Sequence, residues 1–382
     1  MTTPRVAFVL TQDRGGPVDL TTALLAELRD HHNVPVRLFG PLPARDPERV
    51  TGCHELVKVG SKTSLRAMTD LQHAVLDWHP DVVHAQDRRA GLVFSRPMRA
   101  VSFVGHRSTG SGRRPAVLHT YHGVPDDVGQ DWFAEGRGPK PSKYTMATLL
   151  ADAGVARGVD RSIVPAPSMA TFLTQRLRVP AHRVAHLDNG LVLGNAHPPQ
   201  QIRSLLFVGL LERRKGVHHL LDALAQASRQ HPDLTLLVAG DGSEAGALKR
   251  QASALGLDGR VRFLGFRKDV SLLLQETDAF VLPSSMEQQP LVLIEAMAAG
   301  KPLVVTATGG VPDMVRGLGG AVHVVAPGDV PALARALAEL TLMLDPAAAG
   351  ARVAAVARAR FSVQSCALGH LGLYREVLDQ LR

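Results

Sequence analysis

The chain reads as an α/β protein made of two Rossmann-like domains, each a doubly wound parallel sheet. Three observations predict this. Short β-branched or Leu-rich runs alternate with helix-period segments along nearly the whole sequence. The alternation is interrupted by the polar, Pro-containing stretch 194–203. A length of 382 residues also exceeds one ordinary core and predicts two domains of roughly 100–200 residues each.

Taken in order, the first half carries expected strands at 5–10, 34–39, 81–84, 116–119, 161–164 and 183–187. The second half carries them at 204–208, 234–239, 261–264, 279–282, 303–305 and 321–325. Helical patterns lie between most of them, so the strands run parallel and ligands are expected beyond their carboxyl ends. The Ala-rich stretch 332–359 favours helix. Residues 361–382 also read as helix, with Cys366, Leu368, Leu371, Leu373 and Val377 among the apolar positions. The expected domains are therefore 1–195, 196–360 and a terminal helical segment 361–382.

Composition narrows the class. A hydrophobic content of 45% is ordinary for a soluble globular protein, and no apolar run approaches the roughly 18 residues of a membrane span. The start enters a strand directly, without a secretory signal, so a cytoplasmic location is expected. Cys53 and Cys366 lie far apart in no metal or redox motif and are expected to be reduced. High Ala and Arg usage points to a GC-rich bacterial source.

The net charge of +8 is concentrated at residues 58–114, where ten Lys or Arg (Lys58, Lys62, Arg66, Arg88, Arg89, Arg96, Arg99, Arg107, Arg113, Arg114) face four Asp. Without interleaved aromatics or a nucleic-acid motif, this stretch reads first as a solvated face, and no nucleic-acid partner is expected. Peripheral membrane contact is the sharper alternative. Leu65, Met68, Leu71, Val75 and Trp78 would supply its apolar stripe, although such stripes commonly face a core.

The most informative segment runs from Pro283 to Val305 and holds Glu287 and Glu295 with seven residues between them. Pro290 is expected at the first helical position, which leaves Glu287 in the loop and Glu295 about a turn and a half into the helix. Ionised carboxylates can bridge neighbouring hydroxyls of a ribose or hexose. The backbone N–H groups of Gln288, Gln289 and Leu291, near the helix start, favour phosphate. A sugar nucleotide fits this set. The competing reading makes Glu295 a surface helix residue and Glu287 a charge favourable to the helix dipole.

This segment resembles the carboxyl-terminal signature of the family 4 glycosyltransferases, retaining enzymes of the GT-B fold, in which two acids seven residues apart precede an Ala-Met-Ala-x-Gly helix end. Glu287, Glu295, Ala296, Met297, Ala298 and Gly300 carry the match. It continues through FVGLLERRKG from Phe207, LLVAGDGSE from Leu236, VRFLGF from Val261 and TATGGVPDMV from Thr306. The resemblance implies two Rossmann-like domains facing across a cleft, an amino-terminal one for the acceptor and a carboxyl-terminal one for the donor. It also implies that the last helix crosses back to the first domain.

It further implies roles. Glu295 would hold the ribose and Glu287 the sugar hydroxyls, with Gln288, Gln289 and Leu291 beside them. Lys215 with Arg213, or Arg214, would neutralise the leaving diphosphate, a charge change that fixed cations stabilise most in the transition state. Gly209 would lie along the donor, and the region around Phe266 would meet the base. Gly15 and Gly16, before a helix opened by Pro17, read either as a tight turn or as a close approach to phosphate, and the family favours Gly16 at the donor diphosphate. His122, ahead of Gly123, matches the family's histidine beside the transferred sugar and would position it as a neutral imidazole; His119 is the weaker candidate.

Departures are also legible. Leu210 stands where the family often has Arg, Gln288-Gln289-Pro290 replaces Gly-Phe-Gly, and Asp313 replaces a Glu. The chain has no Asp-x-Asp triplet, and His31-His32 and His218-His219 lack metal-site spacing, so metal-independent chemistry without a cofactor is expected. The resemblance implies retention at the anomeric carbon, with the departing phosphate oxygen taking the acceptor proton. The expected activity is transfer of a hexose-type sugar from a UDP-linked donor to a hydroxyl of a small-molecule, natural-product, lipid-linked or envelope-precursor acceptor. A sugar-nucleotide epimerase acting on donor alone, and a binding protein with a degenerate site, are the competing classes. Intact Glu287, Glu295 and Lys215 argue against the last.

Overall fold

In the computed structural model, residues 3–57, 65–95 and 114–381 are described. The chain divides into two units. One comprises residues 1–128, 135–192 and 362–382, and the other residues 129–134 and 193–361. Lys58, Lys62, Arg96, Arg99, Arg107 and Arg113 of the basic stretch lie outside the described residues.

The first unit holds a parallel sheet of seven strands: β1 (Val6–Val9), β2 (Val36–Gly40), β3 (His54–Leu56), β4 (Val82–Ala85), β5 (Ala116–Thr120), β6 (Arg161–Val164) and β7 (Val184–His186). Their order is β3-β2-β1-β4-β5-β6-β7, so the winding direction reverses between β1 and β4. The second unit holds β8 (Ser204–Val208), β9 (Thr235–Ala239), β10 (Val261–Gly265), β11 (Ala279–Leu282), β12 (Leu303–Thr306) and β13 (Val322–Val325). They are ordered β10-β9-β8-β11-β12-β13, with the reversal between β8 and β11. Every expected strand is present with small shifts at its ends; only β3 was not anticipated. It is three residues long, carries a glutamate and pairs on one side only, so it offers almost no period to detect.

Strand alternation builds the cores. Val6, Phe8 and Leu10 pack on one face with Leu24, Leu25 and Leu28 of the helix Gly16–His32. Ala7 and Val9 pack on the other with Phe39, Val93 and Phe94. Both faces of β1, β4, β11 and β12 are buried, which is why they read as near-continuous apolar runs. In the second unit Leu205, Phe207, Leu236 and Val238 meet the helices Val217–Ala227 and Val330–Thr341.

The core-facing reading of one apolar stripe is supported, and the terminal segment is corrected. The apolar stripe of the helix Leu65–Asp77 is not free for a membrane: Leu71 and Val75 are core residues, with Met68 and Trp78 packed against them. The terminal segment is not one helix from 361. Phe361 ends the helix Pro346–Phe361, Ser362 caps the next by accepting from Ser365 N at 3.2 Å, and that helix runs Val363–Gln380. Its buried face is Ala367, Leu371, Tyr374 and Val377, whereas Leu368 is 59% exposed because it falls on the opposite side of the helix. Among the described residues, no single helix is long and apolar enough to cross a membrane.

Candidate functional site

The second unit's site grows from the loops beyond β8, β11 and β12, next to its reversal point. After β8 the chain makes a short turn, Arg213–Lys215, and leaves it through Gly216 at φ 69°. A Cβ at Gly216 would lie 2.0 Å from the carbonyl oxygen of Pro283, so only glycine lets this turn press on the end of β11. Ser285 N and Oγ then donate to Arg214 O at 2.8 and 3.1 Å. This clamp brings Lys215 Nζ to 2.6 Å from Glu287 Oε1, and Ser284 Oγ donates to the same oxygen at 2.8 Å. The Lys215 and Glu287 side chains retain 16% and 9% of their exposure, so the pair is largely withdrawn from water.

The loop after β12 closes the other side. Gly309, at φ 49°, leaves room for the Glu287 carbonyl oxygen, which would stand 1.5 Å from a Cβ there. Gly310 N donates to Gln288 O at 2.8 Å, and Thr306 Oγ1 donates to Ser284 O at 2.5 Å. The Gly-Gly block thus shapes the loop that carries the acid. Asp313 pairs with Arg316 on the surface and, through its carbonyl, accepts from Arg360.

The helix after Glu287 runs Leu291–Ala298, and Pro290 is its N-cap, not its first residue. With ψ at 120° Pro290 is still extended, while its carbonyl accepts from Leu293 N at 3.1 Å. Leu291 is therefore the first helical residue, and Glu295 lies one turn in, on the exposed side. Gln289 is buried. Arg214 pairs with Glu212 at 3.1 Å. Arg213 is exposed and lies near His218 and His219, whose rings are tilted at 47° with centroids 3.9 Å apart. Burial, then His219 and Arg213, pushes His218 down to about 4.

A separate pocket of about 470 Å³ opens beyond β8, β9 and β10, lined by Gly209, Leu210, Gly240, Asp241, Phe266 and Arg267 among others. Leu211 N donates to Asp241 O at 2.8 Å and Gly209 N to Ala239 O at 3.0 Å, which joins two of its walls. Phe266 is 72% exposed and Leu210 49%, so two apolar side chains stand at the opening. Arg267 is held by Asp269. Glu287, Glu295 and Lys215 are not among the lining residues of this pocket.

In the first unit the helix starts at Gly16, with Gly15 as N-cap at φ 102°, rather than at Pro17. Gly15 O accepts from Val18 N and Asp19 N, so the turn of the chain is made one residue earlier than expected. Asp87, beyond β4, accepts from Thr11 N and Oγ1 and caps the helix Arg88–Phe94 through Ala90 N at 2.9 Å. His122 is half-buried, with Nε2 3.3 Å from Gln86 Oε1, and burial pushes its imidazole down to about 4. His119 is fully buried and driven to about 3 by the same cause.

Several polar residues around these sites were not anticipated. His84 Nδ1 lies 2.8 Å from Tyr374 Oη and its Nε2 2.8 Å from Thr120 Oγ1, with Gln86 Nε2 3.2 Å away. Ser284 joins the second unit's set through Glu287, and Thr308 lies buried in the loop after β12. Their common signal is position: polar residues at or just beyond the carboxyl ends of parallel strands. Of the basic stretch, Arg88 pairs with Asp152, and Arg114 pairs with Asp160 at 2.7 Å. Among the described residues, no group of three or more His, Cys, Asp or Glu is placed to hold a metal ion.

Two family profiles match the chain. The one described as Glycosyltransferase Family 4 covers residues 14–194, and the one described as Glycosyl transferases group 1 covers residues 196–349. The chain belongs to the family 4 glycosyltransferases, and its two parallel-sheet units are those of the GT-B fold. It is 31% identical over 245 residues to glycogen synthase of Mycobacterium tuberculosis, covering 62% of this chain and 55% of that protein. It is 30% identical over 242 residues to D-inositol 3-phosphate glycosyltransferase of a Mycobacterium species, covering 54% and 55%. The matched stretch thus spans about half the length of these curated relatives. Among solved structures, HepE of Anabaena in complex with UDP superposes with TM-score 0.78 at 19% identity, covering 97% of this chain and all of that one. Sucrose-phosphate synthase from Thermosynechococcus elongatus gives 0.74 at 22% identity over 99% and 100%.

Proposed function

We propose that the chain is a retaining, metal-independent glycosyltransferase that moves a hexose-type sugar from a UDP-linked donor to an acceptor hydroxyl. The observation that carries this reading is the Glu287 carboxylate, held by Lys215 and Ser284 at the carboxyl ends of β8 and β11. Both hydrogen bonds fall on Oε1, which leaves Oε2 to accept from sugar hydroxyls. Lys215 keeps further N–H donors for a diphosphate, and exposed Arg213 is the second cation of the proposal. The pocket at Phe266 takes the base, and Glu295, on the exposed side of its helix, takes the ribose. The backbones of Gly209, Gln288, Gln289 and Leu291 complete the donor set. Relatives named for glycogen synthesis and inositol phosphate glycosylation, and a fold neighbour bound to UDP, support this class of substrate.

In the first unit, Gly16 is proposed for the diphosphate and His122 for orienting the transferred sugar. An imidazole titrating at about 4 is neutral at pH 7, which suits positioning better than charge stabilisation. The first unit is the proposed acceptor-binding domain, the second the donor-binding domain, and the location cytoplasmic. A small-molecule, lipid-linked or envelope-precursor acceptor fits the reading.

Mass spectrometry of the full chain with UDP-sugars, with and without an acceptor panel and with and without EDTA, tests it, with proton NMR of the products for sugar configuration. Glycosylated acceptor of unchanged anomeric configuration, with turnover that survives EDTA and falls at least about 100-fold in Glu287→Gln, is expected. An altered UDP-sugar formed from donor alone would establish the epimerase instead.

A further inference from the structure

Beyond the carboxyl ends of β4, β5 and β6 the first unit has a pocket of about 20 Å³, room for a water-sized group, lined by Gln86, Thr120, His122, Asn189 and His370 among others. Gln86 is 3% exposed, and its surroundings fix which way its amide faces. Both ring nitrogens of His84 are taken, Nδ1 by Tyr374 Oη and Nε2 by Thr120 Oγ1, each at 2.8 Å. Gln86 Nε2 stands 3.2 Å from both of those nitrogens. An approach in the ring plane at equal distances would drive it into Cε1, so it lies over the face of the ring, where an N–H is favoured and a carbonyl oxygen repelled. That leaves Oε1 as the atom 3.3 Å from His122 Nε2. A carboxamide oxygen accepts and cannot donate, so His122 Nε2 carries the hydrogen and Nδ1 keeps its lone pair.

We infer that Gln86 is a positioning residue for sugar transfer: it holds His122 as the Nε2–H tautomer, so that Nδ1 accepts a hydrogen bond from a substrate hydroxyl. This rests on the sugar-orienting role proposed for His122. Among the described residues, the titratable groups coupled to His122 are His84, His119 and His370, each kept neutral chiefly by burial. Arg88, which acts on His119, is itself paired with Asp152. The proton on His122 is therefore placed by a hydrogen bond and not by a neighbouring charge. A carboxylate in place of the Gln86 amide would hold the same hydrogen, but it would also draw a second proton onto the ring, and an imidazolium has no acceptor. A thioether there would hold neither.

Transfer kinetics of the full chain between about pH 5.5 and 9, with nitrogen NMR of the histidine side chains, decide it. His122→Asn identifies the His122 signals. In the wild type His122 should be protonated at Nε2 and not at Nδ1; protonation at Nδ1 overturns the assignment. Gln86→Met, of similar length, should lower kcat at least about tenfold with the donor KM changed less than about threefold. Gln86→Glu should regain at least about a third of the wild-type kcat at the alkaline end and lose it as pH falls, with a midpoint at least about one pH unit above that of the wild type. A side chain that only fills space ranks the variants the other way, with Met close to wild type and the buried carboxylate worse at every pH. That ranking overturns the assignment while leaving the sugar-transfer reading intact. A wild type that transfers no sugar in the donor and acceptor panel overturns that reading and this role with it. Circular dichroism confirms that folded proteins are compared, and where Gln86→Glu fails to fold, the wild-type tautomer and the Gln86→Met kinetics still decide.

Discussion

Breaking the Lys215–Glu287 pair one side at a time gives the sharpest test of how the second unit is built. At 2.6 Å the gross attraction is about 6 kcal/mol with an effective dielectric of 20, and desolvation of both groups offsets much of it. Removing one partner leaves the other as a largely buried charge, so Lys215→Met and Glu287→Gln should each destabilise by about 3 kcal/mol. Removing both leaves no stranded charge. The double variant should therefore lose no more than about 3 kcal/mol instead of the additive 6 or so, a coupling of at least about 3 kcal/mol. For a unit of this size each kcal/mol moves the melting temperature by about 2–4 °C, so each single change should lower it by roughly 6–12 °C. Scanning calorimetry of the full chain, resolving the second unit's transition, reads all four proteins. Additive losses, with coupling under about 0.5 kcal/mol, would refute the view that the two side chains hold each other.

Two further perturbations follow from the same geometry. Gly309→Ala places a methyl group against the Glu287 carbonyl at a positive φ and should cost at least about 2 kcal/mol. Gly317→Ala, at φ 82° but in open space, should cost only about 1 kcal/mol, and equal melting losses for the two would remove the packing explanation. In the first unit His84, His119 and His370 are buried and held neutral, His119 at about 3 and His370 at about 4, in each case chiefly by burial. An unfolded histidine gains a proton below about 6.5, whereas these do not until their own lower pKa values. Stability is thus unaffected above about pH 6.5 and falls as pH drops below it, by about 1.4 kcal/mol per pH unit for each histidine, until each folded pKa is passed. Urea unfolding between pH 7.5 and 4.5 measures this; a flat profile through that window contradicts it.

Sequence by itself determined which segments become strands and helices, that two parallel sheets form, and which acids, cations and glycines stand at their carboxyl ends. These properties are written in short-range pattern: apolar runs buried on both faces, helical periods between them, and glycines at forced turns. Where the local pattern was thin, it misplaced details. The three-residue β3, Pro290 as cap, Gly16 as helix start and outward-facing Leu368 each depended on neighbours that the local pattern does not name. Only tertiary structure decided the partnerships. Lys215 and Glu287 are 72 residues apart, and His84 and Tyr374 are 290 apart. The loop that carries Glu287 and the loop after β12 close on each other because Gly309 admits the Glu287 carbonyl oxygen. Hydrogen bonds and ion pairs act over a few ångströms in space, and the distance between two side chains along the chain carries no information about that separation until the sheet order has been set.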